Sequence, residues 1–284
     1  MVEVVYNGNL GNRLFQYCFG RIIAESLGFC LKAAPLEGFP HTGIPVEGEN
    51  HSSGPVQELK WNEIDLEAVL RDKSKRKITF NEGYFQRYEY YKAHKAVIRG
   101  DWLVNTIACE HEPRKEGDCV VVVRQGDYKR TKSCLPFSYY EAALEMAKPR
   151  RVFLCTDDPR DPFIRRFRTY NAVVRPPGSL DNFKYIMSFD TIITCQSTFS
   201  WWAAFLSNAG RIYGALPLEG FHVPGNPFFP GIDLRVDDEP RYTYIACKER
   251  YSETPVEMAI NFKRRLGRAA LRELEKRGRF YFPK

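Results

Sequence analysis

The sequence lacks the features by which several protein classes are recognised. Its eight cysteines are scattered and include no CxxC pair, so the spacing typical of a structural zinc site is missing. No apolar run reaches the ~18 residues that a membrane-spanning helix needs. There is no RNP-like aromatic motif and no single long basic arm, which makes nucleic-acid binding a minor hypothesis. The N-terminal residues form a strand-like run at once, without the pattern of a signal peptide.

What the sequence does contain indicates a packed, basic protein. Of its 284 residues, 44% are hydrophobic and 14% are aromatic, which is ample for packed cores. The formal net charge of +7 favours anionic partners such as nucleotides or phospholipid surfaces. We therefore expect a soluble, cytoplasmic protein, with peripheral membrane attachment as an alternative. The cysteines are expected to be reduced thiols, although their even number leaves disulfides open.

Strand, turn and helix patterns alternate from the N-terminus onward, as in an α/β protein. Residues 2–6 are largely apolar, residues 7–12 hold two glycines and three asparagines, and apolar side chains then recur at helical spacing as far as Gly28. The turn GNLGNR differs from the GxGxxG fingerprint, and no acidic residue closes a second strand about twenty residues later. The segment predicts the first βα unit of a doubly wound sheet.

The stretch at residues 191–208, TIITCQSTFSWWAAFLSN, has the pattern of a buried strand, a polar turn and a helix. Unpaired N–H groups and the helix dipole attract anions to a helix N-terminus. The hydroxyls of Ser197, Thr198 and Ser200 would add donors at the same place. The simpler interpretation is an ordinary N-cap, since Ser and Thr precede many helices, and the local pattern alone favours it.

CVVVVRQGDY, at residues 119–128, predicts another buried strand, which ends in Arg124 and Asp127. Open α/β sheets place ligands at the carboxyl ends of their strands, and a guanidinium could hold two phosphate oxygens there. A structural Arg–Asp ion pair explains these residues equally well. The turn TDDP places Asp157 and Asp158 after a further strand, where a carboxylate could accept hydrogen bonds from a guanine edge or a ribose, or could cap a helix.

Five segments in order resemble the α-1,2-fucosyltransferase family. STFSWWAAFL resembles that family's S-[ST]-F-S-W-W-x-A-x-L signature. GNLGNRLFQY, GYFQ, RQGDY and TDDP resemble its G-G-L-G-N-Q-[ML]-F-Q-Y, G-Y-[FW]-Q-S, H-x-R-R-G-D-Y and S-D-[DN] segments. Together they cover roughly residues 3 to 215. Any one motif alone would be weak, but five in order are hard to explain otherwise.

The resemblance implies a GT-B fold of the α/β class, with two Rossmann-like domains facing each other across a cleft. We expect an N-terminal, acceptor-side domain at residues 1–116, a nucleotide-sugar domain at residues 117–250 and a basic C-terminal helix at residues 251–284. Animal members carry a membrane anchor and a stem before the catalytic region. The present sequence shows neither and looks more like a bacterial or viral member.

The implied reaction transfers L-fucose from GDP-fucose to a hydroxyl of an oligosaccharide, with inversion and an α-1,2 linkage. The donor is a substrate, and no cofactor or metal is expected. Arg124 corresponds to the motif arginine that contacts the donor diphosphate, and Asp127 is the first candidate for the general base, with Glu82 second. The other expected substrate-binding residues are Gly11, Asn12, Gln16, Asp157, Asp158, Ser197, Thr198, Phe199 and Ser200.

Two departures from the family motif leave alternatives open. Val122 stands where the family has histidine, and Gln125 stands where it has a second arginine. Each removes a polar or cationic contact. The chain could therefore use another GDP-sugar, or it could bind a nucleotide sugar without turnover.

The C-terminal segment carries apolar Phe262, Leu266, Ala270 and Leu274 at helical spacing, among many cations. We favour a helix that crosses back to the first domain, because helices in a globular chain usually pack on protein. The alternative is a basic amphipathic helix on an anionic membrane surface.

Overall fold

The computed structural model describes residues 1–107, 116–176, 178, 180–223, 226 and 230–276, without the side chains of residues 81 and 268–276. Cys109 and the last eight residues of the expected C-terminal helix, 277–284, lie outside this part. The seven cysteines within it are free thiols. No helix in the same part is long and apolar enough to cross a membrane.

A first, parallel sheet is built from the N-terminal residues. Its strands are β1 (Val2–Val4), β2 (Leu31–Lys32), β3 (Val56–Lys60) and β4 (Lys77–Glu82), in the spatial order β2-β1-β4-β3. Helix α1 (Leu10–Leu27) connects β1 to β2, and α2 (Leu66–Arg71) connects β3 to β4. From β1 the chain continues to β2, which pairs on one side of β1, and it later returns at β4, which pairs on the other side. The crevice between the carboxyl ends of these two strands is where such sheets bind ligands.

A second parallel sheet follows. Its strands are β5 (Asp118–Val123), β6 (Arg151–Thr156), β7 (Val173–Arg175), β8 (Thr191–Ile193), β9 (Arg211–Leu216) and β10 (Tyr242–Ala246), in the order β10-β9-β8-β5-β6-β7. All its pairings are parallel. The strand order reverses between β5 and β8, which creates a second crevice of the same kind. The α/β class is confirmed, whereas the domain boundaries stay a prediction.

The remaining helices cover the sheets and their connections. They are α3 (Glu89–Lys92), α4 (Lys95–Val97), α5 (Phe137–Ala147), α6 (Leu180–Met187), α7 (Thr198–Leu206) and α8 (Pro255–Lys276), with 3₁₀ turns at Pro40–Gly43, Asp127–Lys129 and Pro162–Tyr170 and a π turn at Ile98–Trp102. Strand β5 shows why the sequence forms a sheet with both faces covered. Its side chains alternate between two hydrophobic clusters, Val120 and Val122 on one side and Val121 and Val123 on the other.

Helices α1 and α7 join the two sheets by packing directly against each other. The Phe15 ring lies 4.9 Å from the Trp201 ring and 4.7 Å from the Trp202 ring, between centroids. At the helix starts, a Cβ on Gly11 would lie 2.5 Å from Thr198 Oγ1 and 2.6 Å from the Phe199 nitrogen. Glycine is thus required by the close approach of the helices. The paired indoles are core residues that hold this contact together.

Over its described side chains, helix α8 contacts the second half of the chain. That the helix crosses back to the first domain stays a prediction. Arg166 donates to Glu257, and Arg264 donates to both carboxylate oxygens of Asp158 at 2.7 and 2.8 Å. These charged partners, all within the second half, fix the direction of the helix. Ala270 and Leu274 lie beyond the described side chains.

The α1–α7 contact generates a prediction. Gly11→Ala should lower the free energy of unfolding by about 1–3 kcal/mol, because the new methyl group overlaps backbone atoms of α7 that cannot move alone. Chemical denaturation measures the change. Gly100→Ala is the matched control, since a Cβ there meets nothing within 4 Å, and this variant should be as stable as the unmutated protein or slightly more so. Equal stability of the two variants would contradict a tight helix contact.

Candidate functional site

A cavity of about 1050 Å³ opens where the carboxyl ends of the two sheets meet. The first sheet contributes the start of α1 after β1 and residues Tyr84 and Gln86 after β4. The second contributes the loops after β5, β6 and β8. The two crevices, each at the point where the strand order of its sheet reverses, therefore open into the same space. The volume lies just above the range of about 300–1,000 Å³ that is typical of small-molecule sites.

Two helices begin at this cavity without side-chain caps. Asn9 precedes α1 and Ser197 precedes α7, and neither side chain accepts a hydrogen bond from the N–H groups of its helix. Neither helix has an acidic residue in its first turn. By contrast, Asp65 caps α2 by accepting from the Ala68 N–H at 2.8 Å. The cavity thus receives two positive helix ends that the protein does not neutralise with a cap, an arrangement suited to an anion.

Asn12 connects three of the sequence motifs. Its Oδ1 accepts hydrogen bonds from Thr198 Oγ1 at 3.0 Å and from Gln86 Nε2 at 3.1 Å. These partners belong to STFSWW and GYFQ, which lie far away in the sequence. No residue in the described part of the chain accepts from Asn12 Nδ2. Asn12 therefore fixes the geometry of the cavity and keeps an amide donor beside it.

Arg124 is the cation at the carboxyl end of β5. Its Nη2 donates to Asp127 Oδ1 at 3.0 Å, its Nη1 lies 3.5 Å from Asp157 Oδ2, and its guanidinium carbon lies 5.0 Å from the Tyr128 ring centroid. Burial alone would lower the pKa of Arg124, but its neighbours, Asp157 foremost among them, raise it. The buried Nε has no hydrogen-bond partner among the residues that the structure describes. A permanently charged group with an unused donor therefore lines the cavity.

Asp157 positions the loop that carries Arg124. Its Oδ1 accepts from the Gln125 N–H at 2.9 Å, while its Oδ2 faces the guanidinium. A Cβ on Gly126 would lie 2.6 Å from Asp157 Oδ2, so the RQGDY turn has no space for a larger residue there. Asp157 thus joins the ends of neighbouring strands β5 and β6.

The structure brings most of the expected site residues together. Eight of the eleven line the cavity: Gly11, Asn12, Arg124, Asp127, Asp157, Ser197, Thr198 and Phe199. These residues come from distant segments of the chain, and only tertiary contacts bring them together. Each motif lies at the end of a strand, as the sequence predicts. Arg124 and the start of α7 lie on one cavity, as the anion-site interpretation requires.

The other three expected residues have their side chains elsewhere. Gln16 accepts from the Asn7 N–H and donates to the Gly83 carbonyl, which braces the first sheet. Ser200 is fully buried and donates to the Ser197 carbonyl within its own helix. Asp158 holds Arg264 of α8. Glu82, the second candidate base, is exposed and is not part of the cavity wall.

The two departures from the family motif have different consequences. Val122 lines the cavity, so an apolar side chain stands where a histidine would face the ligand. Gln125 is completely buried outside the cavity wall, and its Oε1 accepts from the Tyr251 hydroxyl at 2.9 Å. In this fold, the Gln125 side chain therefore contributes no group to the cavity, and only Val122 changes its chemistry.

Several cavity residues were not nominated from the sequence. Tyr84, Gln86 and Tyr128 lie within the GYFQ and RQGDY motifs, so the sequence could have identified them as cavity residues. Phe221 and His222 lie after β9, outside every motif, and nothing in the local sequence marks them. His222 is half-buried in the cavity wall, and the resulting loss of solvent around the ring lowers its pKa from 6.5 to about 4. The ring is therefore a neutral donor and acceptor at ordinary pH.

Two parallel sheets whose crevices open into one cavity are consistent with a Rossmann-like α/β protein. A protein-family model described as Glycosyl transferase family 11 matches residues 67–219, more than half of the chain. The chain belongs to this family, which confirms the resemblance seen in the motifs. It is a glycosyltransferase, with a nucleotide sugar and an acceptor as substrates. No curated protein gives a significant match.

The burial of His222 predicts a pH effect on stability. In the unfolded chain this ring titrates near 6.5, whereas in the folded protein it does so at about 4. Between these values the unfolded state binds the additional proton, so acidification destabilises the fold. His222→Gln should reduce this loss, measured as the shift in urea midpoint between about pH 7 and about pH 5. An equally large shift in the variant would show that His222 does not titrate in this way.

Proposed function

We propose that the protein transfers L-fucose from GDP-β-L-fucose to a sugar hydroxyl, forming an α-1,2 linkage with inversion. The observation that carries the proposal is the convergence of two uncapped helix N-termini and Arg124 on one cavity. A pyrophosphate is the part of a nucleotide sugar that this set of groups would bind. Membership of glycosyl transferase family 11 supports fucose as the transferred sugar.

The same groups would promote breakage of the glycosidic bond. Charge accumulates on the pyrophosphate as it leaves, and fixed donors aimed at it stabilise the transition state. Arg124 supplies a permanent positive charge, and the main-chain amides of Thr198 and Phe199 supply oriented dipoles. We propose that these groups suffice without a metal and that the reaction needs no cofactor besides the donor substrate. Ser197 and Asn12 would add neutral side-chain donors, whereas the Thr198 hydroxyl already donates to Asn12 Oδ1.

Asp127 is our candidate for the proton acceptor. It lines the cavity, and its side chain is 56% exposed. In the structure it accepts a hydrogen bond from Arg124, so its Oδ1 is engaged by the guanidinium. A bound pyrophosphate would compete for the guanidinium and release Asp127 toward the acceptor hydroxyl. Donor binding would then prepare the base.

We further propose that the two sheets belong to the two Rossmann-like domains of a GT-B enzyme, with the donor on the residue 117–250 side and an oligosaccharide acceptor on the residue 1–116 side. The support is the position of the cavity between the carboxyl ends of both sheets. Tyr84 gives the acceptor side an aromatic ring on which a sugar could stack.

Val122 motivates a second candidate, namely a protein that binds GDP-sugars without turnover or with another donor. Calorimetry with GDP, combined with a mass-detected transfer assay on several GDP-sugars, separates these functions. We expect GDP binding, transfer from GDP-fucose to a galactoside acceptor, and equal transfer with EDTA. Binding without transfer from any donor would support the degenerate protein. Failure to bind GDP would contradict the proposal as a whole.

Arg124→Ala tests the role of the guanidinium. We expect transfer to fall about a hundredfold, since the loss of one charge-assisted contact to a developing anion costs ~3 kcal/mol. The unfolding midpoint is measured in parallel, which separates a loss of stability caused by the broken contacts to Asp127 and Asp157 from a loss of transfer. The control is Arg235→Ala, which breaks an exposed pair with Asp233 outside the cavity and should leave transfer unchanged. Transfer within a few-fold of normal in Arg124→Ala would remove this residue from the mechanism.

A further inference from the structure

Helix α8 presents an apolar stripe to the solvent. Met258, Phe262 and Leu266 follow one another at every fourth position and are 51%, 63% and 55% exposed. Residues four apart lie on the same face of a helix, so the three side chains are neighbours. Lys263 and Arg265, both exposed, lie on either side of the stripe.

The opposite face of the helix is polar and buried. Glu257 is 6% exposed and Asn261 is 5% exposed. Arg166 donates to both carboxylate oxygens of Glu257, at 2.7 and 2.5 Å, and Arg264 donates to both oxygens of Asp158. A surface helix of a globular protein normally turns its apolar face inward. Here the ion pairs hold the polar face inward, and the stripe cannot turn toward the protein without breaking them.

The same segment carries most of the net charge of the protein. Residues 255–284 include nine Lys or Arg and three Asp or Glu, which gives +6, whereas the whole chain has +7. The other 254 residues are therefore close to neutral. An apolar stripe bordered by cations, on a strongly basic segment, is the composition of a helix that lies in the headgroup region of an anionic bilayer.

We propose that the stripe of Met258, Phe262 and Leu266, together with Lys263 and Arg265, docks on an anionic phospholipid surface. A second copy of the chain would place two segments of +6 side by side, which like-charge repulsion opposes. A nucleic acid would neutralise the cations but would leave the apolar stripe in water. An anionic lipid surface satisfies both features. The proposal does not depend on the donor or the linkage.

Flotation of the full chain with vesicles tests the proposal. The protein should bind vesicles of phosphatidylcholine with phosphatidylserine, should bind phosphatidylcholine alone far more weakly, and should dissociate as salt is raised. Replacing Phe262 and Leu266 by Gln should lower the partition coefficient about tenfold or more, because the apolar contact is lost. Ile44→Gln and Val56→Gln are matched controls, since both residues are exposed apolar side chains elsewhere.

Lys263 and Arg265 provide a second test. Replacing both by Ser should weaken binding to anionic vesicles but should not alter GDP affinity, which also shows that the variants are folded. Vesicle binding that is unaffected by the Phe262 and Leu266 changes would overturn the proposal. So would a lack of binding to anionic vesicles, a dimer that those changes dissociate, or binding to nucleic acid alone. GDP binding and transfer are measured separately, so failure here would leave the proposed function standing.

Discussion

The contact between the starts of α1 and α7 determines where the groups of the site lie. Gly11 permits it by leaving space for Thr198 and Phe199, and Asn12 secures it by accepting from Thr198. Behind this point, Phe15 packs against the two tryptophans of α7. Because α1 follows β1 and α7 follows β8, the contact also brings the carboxyl ends of the two sheets together. The cavity is a consequence of this packing.

The packing has an electrostatic consequence. Two helix N-termini, each equivalent to roughly half a positive charge, point into the same space, beside a guanidinium. Such like charges repel, and here neither helix has a capping carboxylate to reduce the repulsion. Asp127 and Asp157 hold Arg124 in place, but they lie on the second sheet's loops and leave the helix ends uncovered. The aromatic core offsets the repulsion, and a bound anion would relieve it. The site is thus organised before a ligand arrives.

The sequence predicted the α/β class and the turns of the site because these depend on local patterns. Val120 to Val123 can only be a covered strand, and RQGDY must then lie at its carboxyl end. The side-chain directions of Gln16, Ser200 and Asp158 depend on partners that are distant in sequence, and periodicity does not identify them. His222 lies after β9 with no pattern around it, and only the folded chain brings it to the cavity. The same limit applies to α8. The sequence shows its amphipathic spacing, but it does not show which face of the helix packs against the protein.

That inward face links the C-terminal segment to the loops of the second sheet that line the cavity. Arg264 holds Asp158, the neighbour of Asp157, and Lys129 pairs with Asp161 and Glu253 just beyond the RQGDY turn. Buried ion pairs are sensitive to the loss of either partner, so these connections resist a rotation of α8. The loops of β5 and β6 and the helix are therefore connected by side-chain ion pairs. A surface on which the outer face of α8 rests would therefore be linked to the loop after β6 through Arg264 and Asp158.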